Sequence, residues 1–71
     1  MLDNDPPAGT PVRFLVEVRK GTRGNVGRLI RPLRKYLIEN ADDEFEVDFG
    51  GERVVVKRRD IVKAGETTST A

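Results

Sequence analysis

Two runs, Glu44-Phe45-Glu46-Val47-Asp48-Phe49 and Glu52-Arg53-Val54-Val55-Val56-Lys57, are separated only by Gly50-Gly51. The first alternates charged and apolar residues and the second centres on three β-branched valines, and side chains of a strand point alternately to its two faces. A two-residue connection whose positions both accept positive φ returns the chain directly beside itself. The segment therefore reads as a tight β-hairpin, and the loop length sets its register. Asp48 falls opposite Arg53, Val47 opposite Val54, Phe45 opposite Val56 and Glu44 opposite Lys57. One face then gathers Phe45, Val47, Phe49, Val54 and Val56. The other sets opposite charges across the strands, a favourable arrangement.

The remaining pieces are shorter. Val12-Arg13-Phe14-Leu15-Val16-Glu17-Val18-Arg19 alternates with period two, broken only at Leu15, and is read as a strand. Lys20-Gly21-Thr22-Arg23-Gly24-Asn25 reads as a turn, and Gly27–Arg31 as a second strand. Residues 32–41 are open to two readings. Leu33, Tyr36, Leu37 and Ala41 have helical spacing and Pro32 suits a first helical position, which favours a short helix near 32–40. Arg34–Glu39 also reads as strand. Arg58-Arg59-Asp60 looks like a single tight turn and Ile61-Val62-Lys63 a closing strand. Residues 1–10, with two Pro and one strong apolar residue besides Met1, and residues 65–71, with no large apolar side chain, are read as a flexible segment and a disordered tail. Residues 11–64 are left to form the folded unit.

Composition removes several function classes. The chain of 71 residues has no His and no Cys. Zinc sites, disulfides, thiol nucleophiles and imidazole-dependent triads are thereby excluded. Apolar runs of three residues span no membrane, and no insertion into one is expected. Met1-Leu2-Asp3 lacks the basic start of a signal peptide, so a cytoplasmic location is expected, with the cytoplasmic face of a membrane complex as an option.

Strand, glycine-bearing loop, strand, longer connection, tight hairpin, one turn and a short strand describe an all-β, five-stranded small barrel. Two segments resemble the SH3-like small-barrel group: Lys20–Leu29, similar to its G-x-x-G-x-V approach to the second strand, and Phe45–Ala64, similar to its closing hairpin, turn and last strand. Two branches are relevant. The KOW type occurs in ribosomal proteins and transcription elongation factors. The electron-transport accessory type includes the E subunit of photosystem I, the variable chain of ferredoxin–thioredoxin reductase, and small subunits of the cytochrome bf and NDH complexes. The resemblance implies a non-catalytic module docking on RNA or on a larger assembly. Pro32 and its basic surroundings interrupt the KOW pattern.

Charge is segregated along the chain. Residues 13–35 carry eight basic side chains and one acid, residues 36–52 seven acids and no base, and residues 53–63 five bases and one acid. One reading is a solvated surface on which these blocks meet as weak ion pairs. The sharper reading is an exposed basic patch of Arg19, Lys20, Arg23, Arg28, Arg31, Arg34 and Lys35 that attracts an acidic partner. Nucleic acid would want aromatic platforms, and Tyr36 is the one aromatic residue off the expected core face. An acidic protein surface or a larger protein complex is the expected partner, with RNA the alternative.

Chemistry finds no foothold. Gly21, Gly24 and Gly27 form neither a dinucleotide nor a P-loop pattern and are read as turn glycines. Glu44, Glu46 and Asp48 lie on a solvated strand face, which offers neither a raised pKa nor a loop wrapping an ion. Neither Thr22 nor Ser69 has a base beside it. No catalysis, metal, cofactor or small-molecule substrate is expected.

Overall fold

The computed structural model describes residues 1–65. Its elements are β1 (Pro11–Phe14), β2 (Val26–Arg34), β3 (Glu44–Phe49), β4 (Glu52–Lys57), a single 3-10 turn (Arg58–Asp60) and β5 (Ile61–Lys63). The strands form one antiparallel sheet in the order β4-β3-β2-β1-β5. The two outer strands are joined directly by the 3-10 turn. Lys57 and Ile61 are thus at most about 14 Å apart along the chain, and the sheet must curl to bring its two edges together there. The interior so enclosed holds Leu2, Val12, Phe14, Leu29, Phe45, Val47, Val54, Val56 and Ile61, with Val18 and Phe49 packed against it. Phe14 meets Phe49 edge to face at 5.5 Å.

The hairpin has the register that its loop length requires, from Phe49↔Glu52 to Glu44↔Lys57. Gly50 and Gly51 take φ of 59° and 88°, the left-handed pair that a primed turn needs.

Two expected elements are corrected first. The first strand ends at Phe14 rather than running to Arg19. Beyond it, Leu15 N–H donates to the Asp60 carbonyl, and side chains take over the backbone of the loop. The Thr22 hydroxyl accepts from Val18 and Arg19 N–H, and the Glu17 carboxylate accepts from Gly21 and Arg23 N–H. Such local side-chain bonds compete with a strand ladder. Secondly, residues 32–40 contain no helix. β2 continues through Pro32 to Arg34, with register shifts on both sides of Ile30 and of Leu33. Pro32 itself lies in register with Phe45 between these two irregularities, and because β1 pairs with β2 only as far as Arg28, it stands at a margin of the sheet, where a missing N–H is tolerated.

Gly27 is also not a turn glycine. It lies on β2, where a Cβ would come within 2.7 Å of the Asp48 carbonyl oxygen and 2.8 Å of Val47 Cγ1. Close approach of β2 to β3 is what requires it. The first ten residues, read from composition as a loosely held end, lie against the fold: Leu2 is fully buried, its N–H donates to the Arg58 carbonyl, and Gly9 N–H donates to the Leu29 carbonyl. Of the tail read as disordered, residues 66–71 lie outside the described residues. No helix among the described residues is long and apolar enough to cross a membrane.

Candidate functional site

The seven basic residues singled out from the sequence are not gathered into one patch. Arg19, Lys20 and Arg23 stand on the β1–β2 loop, Arg28 and Arg31 along β2, and Arg34 and Lys35 where β2 ends. The two outer groups are thus separated by the length of β2, roughly 25 Å at about 3.3 Å per residue.

Between them, bases and acids lie side by side across the strands. Arg28 lies in register with Asp48, Arg31 with Glu46, and Arg34 with Glu44. On the far side of β3, Asp48 faces Arg53 and Glu44 faces Lys57. The outer face of the sheet therefore carries an acidic row between two basic rows. Arg31 Nε donates to Glu46 Oε1 at 2.9 Å, and Arg53 lies 3.9 Å from the same carboxylate. Here the chain's charge blocks meet as surface pairs, which are individually weak.

At the ends of β2 the balance differs. Arg19 pairs with Glu52 at the start of β4, and Lys35 pairs with Asp5. Arg28 spends a donor on the Gly9 carbonyl, and the Arg34 guanidinium sits 5.8 Å from the Tyr36 ring centre. Lys20 and Arg23 are exposed, and among the described residues no carboxylate is within ion-pair distance of either. Glu17 is the acid closest in role to Arg23. Backbone donors from Gly21 and Arg23, followed by the Arg23 charge, hold its carboxyl below the ordinary value.

The strongest polar constellation was not singled out from the sequence. Arg58 is fully buried, and every donor of its guanidinium has an oxygen within reach. Nε donates to Asp43 Oδ2 at 2.9 Å, and Nη2 lies 2.8 Å from the same oxygen and donates to Asp5 Oδ1 at 2.9 Å. Nη1 donates to the carbonyls of Leu2 and Asn4 at 3.1 and 2.6 Å. The Phe45 ring lies 5.0 Å beneath the guanidinium, a cation–π contact. Asp43, equally buried, also accepts from the N–H groups of Tyr36 and Asn40. One charge pair thus ties together the N-terminal segment, the β2–β3 loop and the 3-10 turn. A sequence signal for it exists. Inward-facing positions run Val54 and Val56 on β4 and then 58 just past it, and Val47 and Phe45 on β3 and then 43 just before it, so the hairpin register carried one step further sets Asp43 opposite Arg58.

Burial alone would raise the Asp43 carboxyl, but the Tyr36 and Asn40 N–H groups and Arg58 outweigh it and hold it below 3.8. Bonds from Lys35 and Arg58 lower Asp5 likewise. Burial works against the Arg58 charge, yet Asp5 and Asp43 raise its pKa overall. A carboxyl that titrates lower in the fold than in the unfolded chain contributes stability that is complete above its unfolded value. That stability is lost as pH falls through the folded value. The melting temperature should therefore hold from neutral pH down to about pH 5 and drop steeply below about pH 4. Thermal melts followed by circular dichroism across that range check this, and an unchanged melting temperature at pH 2 would contradict it.

Among the described residues there is no pocket and no cluster of three acidic side chains arranged to hold a metal ion. No protein-family model matches the chain, and no curated protein or solved structure matches it either.

Proposed function

We propose that this chain is an SH3-like small barrel acting as a non-catalytic docking module, an accessory subunit of a larger complex. The strand order, the tight β3–β4 hairpin and the 3-10 turn before β5 support the barrel assignment. The observation that carries the function is the pair Lys20 and Arg23, exposed on a loop braced by Thr22 and Glu17 and not ion-paired to any described carboxylate. A loop held by its own side chains presents these cations at little further ordering cost, which suits an acidic protein surface. The bases along β2 lie beside the acids of β3, which leaves no continuous basic track along the sheet for a nucleic-acid backbone to follow, so RNA is the poorer fit.

The test is a pull-down of the complex from the source cell with tagged wild-type chain, repeated with Lys20→Glu/Arg23→Glu. The double reversal should lose the co-purifying acidic protein, with its circular dichroism spectrum unchanged. Undiminished capture of that protein by the variant would refute the reading. Retention of wild type on RNA at low salt, lost steeply as salt rises, would favour the RNA alternative.

A further inference from the structure

The opposite end of β2 carries a feature that docking through Lys20 and Arg23 leaves unused. From Arg31 to Ile38 the chain reads Arg-Pro-Leu-Arg-Lys-Tyr-Leu-Ile, with three cations and no acid. Its large apolar side chains face water: Leu33 is 41% exposed, Tyr36 42%, Ile38 78% and Leu37 106%. Leu37 is as open as in an extended chain, so nothing among the described residues shields it. Asp43 fixes the base of this loop through Tyr36 and Asn40 N–H, so the exposed tip stands on a buried anchor.

We propose that residues 31–38 form a membrane-interface anchor that takes an anionic lipid surface. The layering fits the depth profile of a bilayer boundary. Leu37 and Ile38 reach the acyl boundary, Tyr36 sits at the headgroup level, and Arg31, Arg34 and Lys35 meet phosphates behind it. Leu37 and Ile38 stand clear of the fold. Two adjacent, outward aliphatic side chains would need a matching cleft on a protein, whereas a lipid surface needs none.

The carboxylates around the loop are turned to other work. Glu39, next to the tip, accepts from Asn4 N–H and lies 3.9 Å from Arg58. Asp5 holds Lys35 and Arg58, Asp43 is buried, Glu44 lies in register with Arg34, and Glu46 holds Arg31. The Lys35–Asp5 and Arg31–Glu46 pairs are at the surface, where a headgroup phosphate can exchange for a carboxylate at little cost. The loop only dips into the interface. Nothing in the proposal has the chain cross the bilayer, but it goes beyond the sequence-based expectation of no insertion.

The chain has no Trp, so Leu37→Trp supplies a lone reporter. With full-length chain and phosphatidylcholine vesicles containing about 30% phosphatidylserine, its emission should shift to the blue, and with phosphatidylcholine alone it should not. Wild type should co-sediment with the anionic vesicles, and Leu37→Ser/Ile38→Ser should lose at least about tenfold in affinity while keeping its circular dichroism spectrum. Emission that does not move, equal binding to neutral vesicles, or full binding by the serine variant would each overturn the proposal. Lys20→Glu/Arg23→Glu should sediment like wild type, so failure of the anchor and failure of the docking loop are read separately.

Discussion

Arg58→Met should destabilise the fold by about 3–5 kcal/mol, the usual cost of removing one member of a buried ion pair. The substitution keeps much of the side-chain volume but leaves the Asp43 charge buried with only the Tyr36 and Asn40 N–H groups. It also strips the Leu2 and Asn4 carbonyls of their donors and removes the cation over Phe45. For a domain of this size the melting temperature should fall by at least about 12 °C. The neighbouring residue supplies the control. Arg59 pairs with Asp42 at the surface, so Arg59→Met should stay within about 0.5 kcal/mol of wild type. Replacing both buried partners, Arg58→Met with Asp43→Leu, should recover part of the loss, because no uncompensated charge then remains. Urea titrations of the three variants decide the matter. Equal midpoints for Arg58→Met and Arg59→Met would show that the buried pair contributes nothing special.

Leu2→Ala should cost about 2–5 kcal/mol, as for a leucine in the middle of a core. The residue is fully buried among the strands' inward side chains although it stands second in the chain. Its removal leaves a cavity and loosens the segment whose carbonyls Arg58 holds, so its effect and that of Arg58→Met should be less than additive. Urea midpoints of the single and double variants measure this coupling. A Leu2→Ala protein as stable as wild type would mean that the segment is dispensable. Amide exchange gives a second reading, since Gly9 N–H, bonded to the Leu29 carbonyl at 2.7 Å, should lose protection in the variant.

The hairpin was legible from the sequence because two independent signals, strand periodicity and a Gly-Gly loop, demand the same register. The expected first strand is too long because Val16 and Val18 keep the alternation while the Thr22 hydroxyl, several residues on, claims the Val18 and Arg19 N–H groups and Glu17 turns its carboxylate to the Gly21 and Arg23 N–H groups. Local periodicity carries no trace of that competition. Residues 32–38 misled for the opposite reason: their helical spacing of apolar residues marks no buried face at all, since these side chains point to water. The basic block was legible as composition but not as a patch. Strand pairing, which lays Asp48, Glu46 and Glu44 beside Arg28, Arg31 and Arg34, decides whether a run of like charge is free. Leu2 was missed because a short polar, proline-bearing stretch gives no hint that its one aliphatic side chain is the one that enters the core. Arg58 and Asp43, by contrast, were within reach of the hairpin parity.

The three rows of alternating sign also bear on how the molecule treats its own copies. Among the described residues β4 is paired on one side only, and away from the point where the 3-10 turn joins it to β5 its other margin is an open edge, with Arg53 and Val55 exposed and Lys57 half-buried. Unpaired edges invite a second chain to extend the sheet. If two copies met antiparallel about Val55, each Arg53 would face the other's Lys57, cation against cation on both sides of the only apolar contact. The same residues that balance β3 within one molecule thus guard its margin against stacking into fibrils.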